Sequence, residues 1–393
     1  MGSQVQESGR GGREVAWNLA KFGMETIVTR TRFCYDLQRT WGLSVFRLPP
    51  VFLRSLRTIW TIPTMPRLLQ AALLLAAGAA LAAGAPDPKQ DPRRTYSTDG
   101  WELVWSDEFD GADPLGYLEN WRHEVGFVRN HEPQYYTSNR VENCRVEDGA
   151  LVITARKEKW PNPDYKDRAL GGWKRQKEFA DYTSADLQSH RTFRYGRIEF
   201  RAQMPRERGA WPALWFMGDC IRRKGDAYFN WPACGEIDLV EIWCNDPTAV
   251  KACLHTATRG PTEAELAPGG RYKPNELHKV TGGGEFRASK PGLEPWNGFH
   301  TYTLDWYEDR LYMFYDGRLY ADVDLARSDW PDGQNPFRKP MFIVMNLALG
   351  GYGNKIVEEE YVDERTGKTV PASTFPMEMK IDWVRHYVRP DGR

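Results

Sequence analysis

The sequence predicts an all-β fold, an antiparallel sandwich or barrel built from many short strands. Stretches of alternating apolar and polar residues begin at Trp101 (WELVWSDEF), Tyr195 (YGRIEFRAQM) and Met379 (MKIDWVRHYV). Such alternation, rich in β-branched and aromatic residues, is typical of half-buried strands. The segment RLYMFYDGRLYADV contains Asp316-Gly317, a dipeptide that favours a hairpin turn. Long helical periodicity is nearly absent, and no repeat of about 20–50 residues is visible, which argues against a propeller.

The chain divides into four segments by composition. Residues 1–64 show no sustained periodicity, and we interpret them as a non-native leader preceding a true start at Met65, or else as a disordered leader. Residues 65–85 combine a basic start, an apolar run and small residues, the pattern of a signal peptide; an N-terminal anchor helix is the alternative. Residues 86–98 are polar and Pro-rich, which predicts a linker. Residues 99–390 then form one domain.

Composition excludes one class of partner and suggests another. The 393 residues carry no net charge, because the +6 of residues 1–85 balances the −6 of the remainder. A mildly acidic body lacks the basic footprint of a nucleic-acid-binding protein. Sixteen tryptophans are many for this length. Most tryptophans belong to cores, but an indole face also packs well against the apolar face of a sugar ring.

Cysteine spacing permits disulfides without requiring them. No C-x-x-C pair occurs among Cys34, Cys144, Cys220, Cys234, Cys244 and Cys253, so zinc-knuckle spacing is absent. If the chain is exported, bridges could close the loops 220–234 and 244–253 and leave Cys144 unpaired. The alternative is that all five remaining cysteines are small buried apolar residues.

Three carboxylates share one apolar segment, CGEIDLVEIW from Cys234. Strand parity places Glu236 and Asp238 on one face and Glu241 on the other, unless a β-bulge between Asp238 and Glu241 restores a common face. Clustered carboxylates cost stability, and their repulsion raises one pKa, which supplies an acid beside an ionised nucleophile. Glycoside hydrolysis needs such a pair. A cation site and a charge-protected edge strand are the alternatives.

The run WPACGEIDLVEIW from Trp231 resembles the bulged catalytic strand of glycoside hydrolase family 16, E-[apolar]-D-x-x-E. NHEPQYYT from Asn130 resembles the N-x-E-x-Q-Y-Y of its laminarinase-like members. RYGRIEFRAQMPRERGAWPALWFM, MNLALGG and KIDWVRHY also have family counterparts in the same order. The resemblance implies a concanavalin A-like β-jelly-roll sandwich of two curved antiparallel sheets with a concave substrate groove.

The resemblance also implies roles for individual residues. Glu236 corresponds to the nucleophile, Glu241 to the acid/base and Asp238 to the partner that steadies the nucleophile, with retention of configuration. Implied substrate-binding residues are Trp211, Trp215, Asn130, Glu132, His255, Asn346 and Trp231. Structural alternatives exist for these residues: Trp215 as a core residue, Asn130 as a turn residue, Glu132 as a solvated carboxylate and His255 as a structural histidine.

A structural Ca²⁺ is common in the family. The matching positions are Asp382 through its carboxylate and Glu108 and Gly149 through backbone oxygens, a ligand mixture that suits this hard cation; the alternative is that Asp382 is merely an exposed strand residue. The sequence also departs from the family. Asp186 stands where many laminarinase-like members have Arg, and the segments that begin at Trp160 and Gly218, with residues 354–374, resemble loop elaborations.

These observations predict a secreted, retaining endo-β-glycanase that cuts a polysaccharide, with β-1,3-glucan as the first expectation. A β-galactan hydrolase of the agarase or porphyranase kind is the alternative within the class, and a non-catalytic, lectin-like carbohydrate-binding domain is the alternative outside it. Catalysis is expected to need no cofactor. We further expect a monomer, an extracellular or periplasmic location, and neither nucleic acid nor a stably bound membrane as partner.

Overall fold

The computed structural model describes residues 90–166, 172–223 and 230–390. The predicted leader (1–64) and signal peptide (65–85) lie outside these ranges. Strands dominate the described residues, as the alternating sequence pattern predicted. In chain order they are β1 (Glu102–Asp107), β2 (Trp121–His123), β3 (Gln134–Tyr136), β4 (Cys144–Glu147), β5 (Ala150–Pro161), β6 (Phe179–Ser184), β7 (Asp186–Phe193), β8 (Gly196–Gln203), β9 (Ala210–Gly218), β10 (Glu236–Glu241), β11 (Ala249–Ala257), β12 (His278–Arg287), β13 (His300–Trp306), β14 (Arg310–Tyr315), β15 (Arg318–Asp324), β16 (Met341–Leu349), β17 (Tyr361–Asp363), β18 (Lys368–Val370) and β19 (Met377–Val388).

Two large sheets contain almost all of these strands. The ten-stranded sheet, called here the back sheet, runs β15-β14-β13-β8-β19-β5-β6-β3, with β1 added beside β19 and β4 beside β5. The seven-stranded sheet, called here the cleft sheet, runs β12-β11-β10-β9-β16-β7-β2. Every pair is antiparallel except β3 with β6, and β17 and β18 form a separate hairpin. This arrangement confirms the predicted all-β fold of two antiparallel sheets.

Helices are short in the described residues. The α-helix α1 (Glu263–Leu266) begins with a capping box between Thr262 and Glu265. The remaining helical turns are 3₁₀: Pro92–Arg94, Gly116–Glu119, Trp173–Arg175, Asp219–Arg222, Pro274–Leu277, Leu325–Ser328 and Pro336–Arg338. Within the described ranges, no helix has the length and apolar character needed to cross a bilayer.

The predicted hairpin at Asp316-Gly317 is confirmed. Tyr315 pairs with Arg318 at the closed end of β14 and β15. Asp316 and Gly317 have φ of 44° and 70°. Two central residues with positive φ are the requirement of a type I′ turn, which matches the twist of paired strands.

The main hydrophobic core lies between the two large sheets, and strand alternation explains why. Along β9, Leu214 and Phe216 are fully buried in this core. Their neighbours Trp215 and Met217 belong to a second cluster on the opposite face of the cleft sheet. The back sheet contributes inward residues such as Phe200. The cleft sheet is therefore apolar on its inner face and presents a different set of side chains outward.

The described part of the predicted linker packs against the back sheet. Asp91 caps the turn Pro92–Arg94, and Arg93 forms an ion pair with Asp309 at 2.8 Å. The ring of Tyr96 packs edge-on against Phe314, with centroids 5.7 Å apart. Residues 90–98 are thus attached to the domain through long-range contacts, which a Pro-rich composition does not reveal.

The five cysteines of the described residues form no disulfide with one another. The thiol of Cys234 lies 3.3 Å from the Met217 sulfur, and that of Cys244 is 3.3 Å from the Pro205 carbonyl oxygen. Cys253 instead lies on the outward face of the cleft sheet. The alternative prediction of buried, unbridged cysteines therefore describes four of the five.

Candidate active site

A β-bulge in β10 places its three carboxylates on one face. Against β9, Asp238 pairs with Trp215 and Glu241 with Ala213, while Leu239 has no partner of its own. Against β11, the register also shifts between Asp238 and Glu241. Both partner residues on β9 face outward, so the bulge turns Glu241 to the same side as Asp238. The predicted bulge is confirmed.

The carboxylates open into a cleft of about 1120 Å³ on the outer face of the cleft sheet. All of the sequence-predicted catalytic and substrate-binding residues line it: Glu236, Asp238, Glu241, Trp211, Trp215, Asn130, Glu132, His255, Asn346 and Trp231. A volume of this size suits an extended ligand of several sugar rings better than a single small molecule.

Polar contacts hold each end of the carboxylate set. The indole Nε1 of Trp211 donates a hydrogen bond to Glu241 Oε1 at 3.2 Å. His255 lies opposite Glu236 on β11, and its Nε2 is 3.3 Å from Asp238 Oδ2. The other ring nitrogen of His255, Nδ1, is 2.7 Å from His278 Nε2. His255 is therefore oriented from both sides, as a histidine that stabilises a neighbouring charge needs to be.

Burial raises the pKa of all three carboxyl groups. The pKa of Glu236 rises to about 8, first because of burial and then because of the Asp238 charge. Burial, followed by the Glu241 charge, holds the pKa of Asp238 well above its usual range. Burial also raises the pKa of Glu241, against opposing effects of His255 and the Trp211 hydrogen bond. The sequence predicted one raised pKa through mutual repulsion; burial is the larger cause and acts on all three.

A second polar network supports the indole of Trp215, which lines the cleft. Its Nε1 donates to Asn346 Oδ1 at 2.7 Å, and Asn346 Nδ2 donates to the Tyr136 hydroxyl at 3.0 Å. Glu132, which is 4% exposed, accepts hydrogen bonds from Gln134 Nε2 at 2.8 Å and from Asn130 Nδ2 at 3.1 Å. Glu132 is therefore a buried, hydrogen-bonded carboxyl and not the solvated one of the alternative interpretation.

Asp186, the departure noted in the sequence, binds an arginine from another segment. Arg129 donates through Nη1 and Nη2 to Asp186 Oδ2, each at 3.0 Å. The same guanidinium lies 5.0 Å from the centroid of the Trp215 ring and lines the cleft. Arg129 therefore supplies a guanidinium to this region of the cleft, although residue 186 is an aspartate and not an arginine.

Sequence reasoning missed several residues of the cleft. Tyr352, 73% exposed, packs edge-on against Trp211 with centroids 5.5 Å apart and lies near Trp243 at 6.1 Å. The ring of His278 lies against that of Trp231, tilted by 36°, with centroids 4.9 Å apart. A tyrosine flanked by glycines, as in GGYGN from Gly350, is the signal that could have identified the first. His278 lies on a separate strand, and no local pattern connects it to the catalytic segment.

The predicted calcium ligands lie away from the cleft, on and beside the back sheet. The carboxylate of Asp382 forms an ion pair with Arg201. The Glu108 side chain pairs with Arg385, at 2.7 Å. The guanidinium of Arg201 contacts one of the two carboxylate oxygens of Asp382, Oδ2. The calcium ion stays a prediction.

Comparison with known proteins agrees with this geometry. The profile of Glycosyl hydrolases family 16 matches residues 131–385. A β-glucanase of Rhodothermus marinus is 33% identical over 297 residues, which cover 73% of this chain and 85% of that protein. The catalytic domain of an endo-1,3-β-glucanase (laminarinase) from Thermotoga petrophila RKU-1 has a TM-score of 0.54 and 30% identity, covering 74% of this chain and 98% of that one.

A third relative comes from work on endo-acting O-glycanases with which prominent members of the human gut microbiota initiate mucin breakdown. It has a TM-score of 0.60 and 29% identity, and it covers 77% of this chain and 95% of the solved one. The family match spans the bulged strand, most strands of both large sheets and most of the cleft. The chain belongs to the glycosyl hydrolases of family 16, as its E-x-D-x-x-E strand and the jelly-roll sandwich that displays it had indicated.

Proposed function

We propose that the protein is a secreted, retaining endo-β-1,3-glucanase that binds its polysaccharide across the cleft sheet. The observation that carries the proposal is the bulge in β10, which turns Glu236 and Glu241 to the same side of one strand. A retaining glycosidase needs its two carboxyl groups only about 5–5.5 Å apart, on a common face. No ordinary strand would gather three carboxylates on one face for stability alone.

In the proposed double displacement, Glu236 attacks the anomeric carbon while Glu241 donates its proton to the departing glycosidic oxygen. The glycosyl–Glu236 ester is then hydrolysed by a water molecule that Glu241 deprotonates. The Trp211 hydrogen bond fixes Glu241 beside the leaving group. Two inversions at the same carbon give net retention.

Asp238 and His255 determine which of the carboxyl groups on β10 is protonated. Burial and the Asp238 charge raise the pKa of Glu236 to about 8, and the pKa of Asp238 is raised as well, so the two carboxyl groups together hold a proton at neutral pH. Positive charge that develops on the sugar ring favours the form in which Glu236 is ionised and this proton lies on Asp238. Asp238, with its raised pKa, can then keep a proton and donate a hydrogen bond to Glu236, a role that His255 supports from the other side.

The substrate assignment rests on two kinds of support. The relatives described above include a β-glucanase and an endo-1,3-β-glucanase. In addition, the rings of Trp211, Trp215 and Tyr352 line the cleft and can pack against pyranose faces. Location outside the cytoplasm, a monomeric state and the lack of stable membrane association complete the proposal.

A second candidate is an endo-acting hydrolase of O-glycans such as those of mucin. The specific observation in its favour is the higher TM-score of the mucin O-glycanase relative, 0.60 against 0.54. A screen of purified protein on laminarin, lichenan, agar, porphyran and mucin O-glycans separates the two. Laminarin cleaved fastest supports the glucanase. A non-catalytic binding domain would cleave none of them.

Azide rescue tests both roles at once. Glu236→Ala should nearly abolish hydrolysis, and azide should attack the substrate directly and give the α-glycosyl azide. Glu241→Ala should lose about 10²–10⁴-fold on polysaccharide but still form the intermediate from activated aryl glycosides. Azide should then give the β-glycosyl azide. Product configuration is read by NMR; swapped products would exchange the two roles, and near-wild-type turnover in either variant would remove the active site from β10.

A further inference from the structure

Beside the carboxylates, β11 presents two further side chains to the cleft. Cys253 lies opposite Asp238 and His255 opposite Glu236 in the register of β10 and β11. Residues two apart on a strand share a face, so the cysteine and the histidine project on the same side as the two acids. Cys253 is also the one half-buried cysteine among the described residues; the other four are buried.

Three different donor atoms converge at this place. The Asp238 carboxylate oxygen, the Cys253 sulfur and a His255 ring nitrogen all lie within 4.8 Å of one another. Asp238 is 4% exposed, and its Oδ2 atom accepts no hydrogen bond, although His255 Nε2 is only 3.3 Å away. A buried acceptor without a donor costs free energy, so Asp238 Oδ2 is poised for a cation.

His278 orients the His255 ring for binding a cation. The Nδ1 and Nε2 atoms of the pair are 2.7 Å apart, and the rings are stacked with centroids separated by 5.0 Å. When His255 carries its proton on Nδ1 and donates to His278, its Nε2 lone pair points toward Asp238. Metal-binding histidines are usually fixed in this way by a partner on the other ring nitrogen.

We infer that Asp238, Cys253 and His255 form a site for a divalent cation of borderline softness, Zn²⁺ above all, inside the cleft. Thiolate, imidazole and carboxylate are the ligands that Zn²⁺ prefers, at about 2.0–2.3 Å. Tetrahedral ligand atoms are then roughly 3.3–3.8 Å apart, so donor atoms that lie within 4.8 Å of one another need to approach by only about 1 Å when the ion binds. On binding, the Cys253 thiol and the Asp238 carboxyl each release a proton to solvent, and the resulting thiolate and carboxylate neutralise the charge of the ion.

This site shares Asp238 and His255 with the proposed catalytic residues, so its effect on hydrolysis rests on the proposed function. An ion bound there is coordinated by Asp238 and His255, so neither residue can accept or position the proton of Glu236. Micromolar Zn²⁺ should therefore inhibit hydrolysis reversibly, and a chelator should restore it. Cys253 has no part in the proposed double displacement, so removing its sulfur should separate metal sensitivity from hydrolysis.

The test uses full-length protein stripped with a chelator and titrated with ZnCl₂ by calorimetry, with CoCl₂ as a spectroscopic probe. Wild type should bind one ion per chain, and cobalt should produce thiolate-to-metal charge-transfer absorption. Cys253→Ala should lose that absorption and bind Zn²⁺ at least about 10-fold more weakly, while hydrolysis of laminarin becomes resistant to zinc. His278→Ala should weaken binding about 10–100-fold by freeing the His255 ring.

Cys220→Ala is the matched control, because Cys220 does not line the cleft, and it should bind both ions as wild type does. Equal zinc affinity in wild type and Cys253→Ala, or a cobalt complex without thiolate absorption, overturns the site. The binding measurements do not depend on hydrolysis. A protein that binds one ion through Cys253 but cleaves no glycan would retain the metal site and refute the proposed function.

Discussion

At the scale of single residues, the three carboxyl groups of β10 hold their protons more firmly than free carboxyl groups do. Burial raises the pKa of Glu236 to about 8 and that of Asp238 well above its usual range. Each shift means that the folded state holds the neutral form more firmly than the unfolded chain does. The protein thus gives up stability as the pH rises from about 4.5 to about 8, and in return it keeps protonated acids in the cleft.

Glu236→Gln should therefore stabilise the protein in a pH-dependent manner. A carboxyl with a raised folded-state pKa contributes its stability below the unfolded pKa of 4.5 and loses it as the pH rises through about 8. The neutral amide avoids that loss. Near pH 8 the variant should gain about 1–3 kcal/mol, seen as a melting temperature several degrees higher, and the gain should vanish near pH 4.

Glu276→Gln, the same substitution in an exposed side chain, serves as the control and should leave the melting temperature nearly unchanged. A gain for Glu236→Gln that is the same at pH 4 and pH 8 would show that Glu236 is not a buried acid with a raised pKa.

At the scale of elements, loops as well as strands shape the cleft. The loop after β16 contains Gly351 with φ of 78°, and a Cβ atom there would meet the Trp211 ring at 2.5 Å. Glycine is needed at this position both for its backbone conformation and for the close approach. The same loop carries Tyr352, so it holds one aromatic residue in the cleft and packs against another.

On the back sheet, a buried ion pair joins neighbouring strands. Arg197 on β8 donates to both carboxylate oxygens of Asp305 on β13, at 2.6 and 2.8 Å, and each side chain is 3% exposed. The guanidinium also donates to the Ser97 carbonyl at 2.7 Å and lies over the Tyr96 ring. This pair therefore ties the N-terminal segment to the sheet.

Asp305→Ala should destabilise the protein by about 3–5 kcal/mol, because it leaves the Arg197 charge buried without its partner. Thermal unfolding should register the loss as a drop of roughly 10 °C. Hydrolysis well below the melting temperature should be unchanged, since the pair lies on the sheet that does not carry the cleft.

The control is the exposed ion pair of Lys273 and Glu276. There, Glu276→Ala should cost less than about 1 kcal/mol. Similar losses from both variants would contradict the account.

At the scale of the whole molecule, the two large sheets have different roles. The cleft sheet carries the carboxylates on its outer face, and the back sheet closes the core behind it. The N-terminal segment belongs to the back sheet, through Asp91, Arg93 and Tyr96. A cleavage site after Asp91 would therefore destabilise the folded domain, because it would remove the contacts that Asp91 makes.

If residues 65–85 act as a signal peptide, the exported protein should begin between Ala83 and Asp91. Intact-mass and N-terminal peptide measurements on secreted protein check this window. A chain that begins after Thr95 would have lost the Asp91 and Arg93 contacts and should melt at a lower temperature. An exported form that keeps residues 1–64 would contradict the signal-peptide interpretation.

Local pattern in the sequence determined the elements and the chemistry of the catalytic strand. Alternation with period two predicts strands, Asp316-Gly317 predicts a hairpin, and E-x-D-x-x-E on an apolar background requires a bulge before its acids can act together. These features depend on neighbours within a few residues, so the sequence displays them directly. The resemblance to the family then supplied the cleft residues, which the structure gathers around one opening.

Tertiary structure alone decided how those residues meet the rest of the chain. It set His278 against His255, placed Cys253 beside Asp238, paired Asp186 with Arg129 and engaged Asp382 with Arg201. It also made burial the main cause of the raised carboxyl pKa values. Each of these depends on strand register and on contacts between distant segments, and a periodic pattern fixes which face a side chain takes without fixing which partner it meets there.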